Sequence, residues 1–315
     1  MSSIRILGNP AAGRGRGAKV IGELRRAFAP FGVTDLRATR CAGDEERLVH
    51  DALDDGIQTI VVAGGDGTWS KCAVALARAG AGADARMAFV AAGTGNDFAR
   101  NLSAPAGDPI AMARLLCTGS GAHERRVDMG RVDDRWFLNV AGFGFDVAVL
   151  RAARRSRWLR GPAVYVAAAV RELFTYAGVD AAVQVGDAGA DTRDGFTRTA
   201  AEWSRRLLMV FSNGACFGGS FRIAPGARVD DGALDAIVIA DGPRWTRAPL
   251  LVKALRGRHL NDTRVRHARD GRFALQFHEP TWFEADGELY RTTSDSCELA
   301  TLPAVLRVVD STGND

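Results

Sequence analysis

Apolar and polar positions follow two rhythms over the first 120 residues. Residues 4–7, 59–63 and 87–91 are short apolar runs of strand length, and residues 33–38 form a weaker one. Between them apolar residues recur every three or four positions, as at Val20, Ile21, Leu24, Ala27 and Phe28. Residues 44–53 and 69–79 repeat that spacing, which predicts helices with one buried face. Asp44, Glu45 and Glu46 place acids in a first helical turn, where they suit the dipole. Strands alternating with helices, and apolar throughout, predict a parallel sheet covered by helices.

The rhythm changes near residue 125. Short strand-like runs follow at 136–140, 182–185, 207–211, 234–239, 272–277 and 281–284. Turn signals separate them: Asp133-Asp134, Asp231-Gly232, Asp270-Gly271 and Asp286-Gly287. Helical spacing interrupts at about 146–177 and about 244–257. This pattern predicts a second domain rich in antiparallel sheet. Thr118-Gly119-Ser120-Gly121 marks the boundary, giving domains 1–124 and 125–315. The apolar run 304–309 fits either domain, and the polar stretch 186–202 reads as a surface loop.

Composition adds exclusions. The 315 residues are 47% apolar and 25% charged, ordinary globular values that argue against disorder, collagen and coiled coil. No apolar run reaches the roughly 18 residues of a spanning helix, and the N-terminus lacks a signal-peptide pattern. Cys41, Cys72, Cys117, Cys216 and Cys297 are scattered, which suits a reducing cytoplasm and disfavours a disulfide framework or a zinc site. His50, His123, His259, His267 and His278 show no metal-ligand spacing.

Three glycine-bearing turns follow predicted strands: Asn9-Pro10-Ala11-Ala12-Gly13, Gly64-Gly65-Asp66-Gly67-Thr68 and Gly93-Thr94-Gly95-Asn96-Asp97. Glycine admits close backbone approach and positive φ, so that successive N–H groups and a helix N-terminus meet an anion. At strand ends of a parallel sheet this is phosphate chemistry. Gly13, Gly15 and Ala18 spell a dinucleotide-binding fingerprint with Asp35 downstream, but that motif leaves the other two loops unexplained. Asp66 among phosphate-facing glycines requires either a cation, for which magnesium with ATP is the natural choice, or another contact for its carboxylate.

Through these blocks the chain resembles the diacylglycerol kinase catalytic family, which includes bacterial lipid kinases and sphingosine and ceramide kinases. The resemblance continues through Gly93-Thr94-Gly95-Asn96-Asp97-Phe98-Ala99-Arg100, through Pro225 to Gly232, and through Asp286-Gly287-Glu288. It implies an α/β nucleotide-binding domain followed by a β-sandwich-like domain, with the active site in the cleft. The ATP positions it implies are Asn9, Pro10, Ala11, Ala12, Gly13, Thr39, Gly64, Gly65, Asp66, Gly67, Thr68, Trp69, Ser70, Lys71, Thr94, Asn96 and Asp97. It implies Glu288 as proton acceptor, with Asp286 close to the chemistry. Two apart on an extended segment, the two acids are expected to share one face. A structural Mg²⁺ would be held by the Asp231 side chain and the carbonyls of Arg228 and Ala233. The chain departs from the family where Leu-Asn-Glu usually follows GGDGT; here Trp69-Ser70-Lys71 stands, and Lys71 offers phosphate a point charge instead.

The implied reaction is ATP-dependent phosphorylation of a membrane lipid hydroxyl, most simply of diacylglycerol to phosphatidic acid. The alternatives are an NAD-kinase-like enzyme with a soluble acceptor and a non-catalytic lipid- or nucleotide-binding regulator. The formal charge of +4 conceals local clusters. Arg151, Arg154, Arg155, Arg157 and Arg160 surround Trp158 and Leu159, and residues 244–272 carry nine Lys/Arg against two acids. Basic, aromatic-bearing helices suit an anionic membrane surface. The expectation is a cytoplasmic protein held peripherally at the inner membrane surface. No nucleic-acid module is present, and a homodimer is compatible with the sequence.

Overall fold

The computed structural model describes residues 3–80, 85–155, 162–186, 202–219 and 221–311. It divides into two compact units, Met1–Met129 with Pro303–Asp315, and Gly130–Leu302. The strands in chain order are β1 (Ile4–Gly8), β2 (Leu36–Ala38), β3 (Thr59–Gly64), β4 (Arg86–Ala91), β5 (Ala122–Val132), β6 (Arg135–Phe137), β7 (Val140–Gly144), β8 (Val179–Val185), β9 (Ser204–Ser212), β10 (Leu234–Ala240), β11 (Val265–Asp270), β12 (Arg272–Phe277), β13 (Trp282–Ala285), β14 (Glu288–Arg291) and β15 (Ser296–Ser311). The helices are α1 (Arg16–Phe28), α2 (Asp44–Asp54), α3 (Asp66–Arg78), α4 (Pro109–Thr118), α5 (Phe145–Arg155), α6 (Pro162–Thr175) and α7 (Arg247–Leu255).

In the first unit β2, β1, β3 and β4 lie side by side and parallel. The expected α/β layering is present, because these strands bury both faces. Ile6, Val61, Ala63, Ala88 and Val90 pack with Val20, Leu24 and Phe28 of α1 and Met112 and Leu116 of α4. On the opposite side Trp69 of α3 meets Phe89 edge-on, and Phe89 meets Phe98. The run at 304–309 joins this unit: Val308 pairs in parallel with Met87, and Val309 lies in the same core. Asp310 fixes the return by accepting the backbone N–H groups of Ser103 and Ala104.

The second unit is built from antiparallel pairs, with β9 bonded to β7, β8 and β10. The continuous apolar run in β9 is explained by burial on both faces. Met209 and Phe211, with Leu234, Ala236 and Val238 of β10, enter one core. Leu208 and Val210, with Ile237 and Ile239, enter a second core that includes Phe145, Leu173 and Leu250 from helices. Two sequence expectations are corrected here. The helix expected over 146–177 is two helices, α5 and α6, that pack on each other. The strand expected at 136–140 is broken between β6 and β7, because Leu138–Val140 turn their N–H groups to a side chain, described below. Most of the expected 186–202 loop, and Arg157, Trp158, Leu159 and Arg160, lie outside the described residues.

Candidate active site

The three glycine loops leave the ends of β1, β3 and β4, neighbours in one parallel sheet. β1 is the switch point of that sheet, with β2 on one side and β3 on the other, which is where open α/β sheets bind ligands. The loops interlock through backbone and short side chains. Asn9 donates its side-chain amide to Thr68 Oγ1 at 2.9 Å and accepts the Ala11 N–H at 3.0 Å. Gly13 adopts a φ of 56°, and a Cβ there would lie 2.2 Å from the Ala92 carbonyl oxygen. Gly65 and Gly93 meet back to back: a Cβ on Gly93 would lie 2.4 Å from Gly65 Cα. No larger residue fits either contact without moving main chain.

Asp66 resolves the charge problem seen in the sequence. Its Oδ1 accepts the N–H groups of Asp97 at 2.7 Å and Phe98 at 3.3 Å, tying the second loop to the third. Asn96, at a φ of 53°, bonds both the N–H and the carbonyl of Gly93. Arg16, which the sequence reading passed over, donates to the Gly93 carbonyl at 2.8 Å. α3 starts at Asp66, so its first-turn N–H groups, beside exposed Gly67, form the positive end of a helix dipole.

The other nucleotide positions differ in what they present. Thr94 and Lys71 are exposed, Thr39 hangs on the Gly8 carbonyl, and Ser70 is buried. Pro10, Ala11 and Ala12 line the first loop. Trp69 turns inward: it is fully buried and donates its indole N–H to the Val62 carbonyl at 3.1 Å. Its side chain is core.

In the second unit β13 and β14 form a hairpin whose two-residue turn is Asp286-Gly287. Both turn residues have positive φ, 48° and 83°, the geometry of a tight twisted hairpin. The expected shared face is therefore replaced by a division of labour. Asp286 Oδ2 accepts the Leu138 N–H at 2.6 Å, and Oδ1 accepts those of Asn139 and Val140 at 2.9 and 3.0 Å. Glu288 is half-exposed, and its Oε2 accepts from Arg154 of α5 at 2.8 Å. Arg154 also donates to the Gly287 carbonyl at 3.0 Å.

Two further acids stand beside this turn. Glu284 in β13 is 4% exposed, and its Oε2 accepts the Gly287 N–H at 2.8 Å. Asp146, in the first turn of α5, faces it across Gly142. A Cβ at Gly142 would lie 1.6 Å from Asp146 Oδ2 and 3.2 Å from Glu284 Oε1. Those two oxygens are buried with no hydrogen-bond partner. Burial pushes the Asp146 carboxyl up to about 7, and burial followed by the nearby Asp146 charge raises Glu284 well above the usual range.

The loop expected to hold a structural Mg²⁺ is folded on itself. Asp231 Oδ1 accepts the Ala233 N–H at 3.2 Å, and Oδ2 lies 3.4 Å from Arg269 Nη1. Arg228 pairs with Asp230 at 3.4 Å. The Asp231 carboxylate is thus engaged within its own loop and by Arg269, and no group of three or more His, Cys, Asp or Glu that could hold a metal occurs among the described residues.

Comparison with known proteins decides the lineage. Residues 3–132 match the diacylglycerol kinase catalytic domain, and residues 139–310 match the YegS C-terminal NAD kinase beta sandwich-like domain. The chain belongs to the diacylglycerol kinase family of lipid kinases. Within this family, a Pseudomonas aeruginosa protein named "Probable lipid kinase YegS-like" is 35% identical over 65% of this chain and 62% of its own length. The chain thus spans less than two thirds of that relative. A Mycobacterium tuberculosis diacylglycerol kinase is 29% identical over 82% of this chain and 80% of that protein. A crystal structure of a diacylglycerol kinase from Bacillus anthracis shares the fold with a TM-score of 0.70 at 20% identity, covering 98% of this chain and 96% of that one.

Proposed function

We propose that the protein transfers the γ-phosphoryl group of MgATP to a lipid hydroxyl, with diacylglycerol as acceptor and phosphatidic acid as product. The observation that carries this reading is the interlocking of the three glycine loops at the switch point of the parallel sheet. It gathers three glycine loops and the N-terminus of α3 at the strand ends, where a triphosphate would be met. Magnesium would enter with the nucleotide and offset phosphate charge, and the exposed Lys71 of α3 would add a cation. As the lipid oxygen bonds to the γ-phosphorus, the bond to the ADP oxygen breaks and the hydroxyl proton passes to the Glu288 carboxylate. Asp286 holds the turn rather than the proton. The names of the relatives favour diacylglycerol.

A lipid acceptor calls for membrane contact, and the second unit carries surfaces suited to it. α6 is apolar on every side over nine residues, and Tyr165, Val166, Val170 and Phe174 are 49–63% exposed. α5, which packs on α6, carries Arg151, Arg154 and Arg155, and Arg151 stacks on Trp282. An apolar helix beside cations suits peripheral docking on an anionic cytoplasmic leaflet. No helix among the described residues is long and apolar enough to cross a membrane. The test is labelled ATP offered with diacylglycerol, ceramide, sphingosine and NAD in parallel. Transfer to diacylglycerol in mixed vesicles supports the reading, transfer to NAD alone replaces it with a soluble acceptor, and transfer to none overturns it.

A further inference from the structure

The buried acids Asp146 and Glu284 have no part in the chemistry proposed above, yet the fold holds them at the base of the catalytic hairpin. Each has one satisfied oxygen. Asp146 Oδ1 accepts the Val147 N–H at 2.7 Å, and Glu284 Oε2 accepts the Gly287 N–H at 2.8 Å. The remaining two oxygens, Asp146 Oδ2 and Glu284 Oε1, are both buried, both unpartnered, and both close to the same point above Gly142. Gly142 is the β7 residue directly opposite Glu284 in the ladder, and its missing side chain makes the room that the two carboxyls share.

Two carboxylates cannot stay ionised in such a place without a cation. Asp286 of the turn and Tyr176 just beyond α6 act on the pair and neither is cationic, while the cation at the hairpin, Arg154, is engaged by the Gly287 carbonyl and Glu288. Next to Asp146 in the chain, Phe145 meets Tyr176 edge-on. One proton satisfies both orphan oxygens at once: the neutral carboxyl donates its O–H to the other carboxylate.

We propose that Asp146 and Glu284 share one proton at neutral pH and act as positioning residues, holding the Gly287 N–H and through it the Glu288 carboxylate. α5 then braces the hairpin from both ends. Asp146 in its first turn meets Glu284, and Arg154 in its last turn bonds the Gly287 carbonyl and Glu288. Loss of the proton leaves two buried like charges, which drives Glu284 away from Asp146 and slackens its grip on Gly287. Transfer therefore falls on the alkaline side while nucleotide binding, which belongs to other residues, stays constant.

The kinetic arm of the test rests on the lipid-kinase reading, and the spectroscopic arm does not. Infrared spectra of the full chain at neutral pH are expected to show a protonated carboxyl band that is lost in the Asp146→Asn/Glu284→Gln double variant. No such band in the wild type, or the same band in the double variant, overturns the shared proton whatever the protein phosphorylates. Titration of Mg²⁺ that abolishes the band with stoichiometric uptake, blocked in the double variant, overturns it in favour of a cation site. Glu284→Gln keeps an acceptor for Gly287 and a donor for Asp146 without the titration. It is expected to flatten the alkaline fall of kcat above about pH 7 at least severalfold, with the KM for ATP unmoved. Glu284→Val removes the acceptor and is expected to lower kcat at every pH. A kcat profile for Glu284→Gln that superimposes on the wild type overturns the positioning role.

Discussion

Asp286 and Glu288 lie two residues apart, yet the structure predicts opposite consequences for their amides. Asp286→Asn keeps the turn, because asparagine tolerates the left-handed conformation that Asp286 adopts at a φ of 48°. What changes is acceptor capacity. The aspartate takes three N–H groups, from Leu138, Asn139 and Val140, all at residues 6% exposed or less. Asparagine retains an oxygen for the two that share Oδ1 and turns an NH₂ toward the Leu138 N–H. One buried donor loses its partner and two lose a charged one. At about 1–3 kcal/mol for a buried unsatisfied group, with a smaller loss on the other two, the cost is about 2–4 kcal/mol. In a protein of this size that lowers Tm by roughly 3–6 °C. Glu288→Gln disturbs only a half-exposed, water-screened pair with Arg154, so its Tm is expected within about 1 °C of the wild type. Its transferase rate is expected to fall by about a hundredfold or more for loss of the general base. Calorimetry and labelled-ATP transfer on the same preparations check both. Equal melting of Asp286→Asn and wild type, or full turnover by Glu288→Gln, refutes the division of labour.

Gly13→Ala places a methyl against the Ala92 carbonyl at a positive φ, so nucleotide affinity is expected to drop at least tenfold by calorimetric titration, with the second unit's melting unchanged. Replacing Val166 and Val170 by Asp puts charges on the exposed face of α6 and is expected to abolish co-sedimentation with anionic vesicles while leaving turnover of a short-chain, dispersed acceptor intact. Asp44 is held down to about 2, first by the Arg40 N–H and then by Arg47. A depressed carboxylate stabilises above its unfolded value near 4 and loses that contribution as pH falls toward 2, so Asp44→Asn is expected to flatten acid destabilisation in that window, measured by urea melts. The shared acids act with the opposite sign. Their native state keeps a proton that the unfolded chain gives up above about pH 4, so Asp146→Asn is expected to gain stability over the wild type as pH rises from about 4 to about 7, and a pH-independent gap refutes it.

The nucleotide loops were legible in the sequence because their chemistry is local. Glycines and Asp66 lie within a few residues of the strand that places them, and the apolar runs at 59–63 and 87–91 announce those strands. The role of Asp286 was not legible, because its partners, Leu138 to Val140, are nearly 150 residues away and bond through backbone that carries no sequence signal. The same three N–H groups explain why an apolar run that looked like one strand is two. Trp69 looked like a ligand position by its place after Thr68, but an indole on the helix face opposite the loop has a core to fill.

Glu284 and Asp146 show the limit most sharply. Glu284 closed the predicted strand at 281–284 as a polar end residue, whereas β13 runs on to Ala285 and buries it. Asp146 stands where the helical spacing at about 146–177 begins and carries no signal of its own. Each is unremarkable alone, and only the pairing of Gly142 with Glu284 in the ladder brings them together. The physical signal that betrays the pair is the coincidence of two unsatisfied buried oxygens with a glycine that leaves them room. A sequence can show the glycine and both acids, but register decides whether they meet. The proposed catalytic turn is therefore held at three places, two of them long-range: three N–H groups on Asp286 and Arg154 on Glu288, with the Gly287 N–H on Glu284 closing the hairpin locally. On the proposed assignment of Glu288 as proton acceptor, that residue keeps its position only while the second unit is intact, which makes turnover a more sensitive reporter of that unit's packing than nucleotide binding.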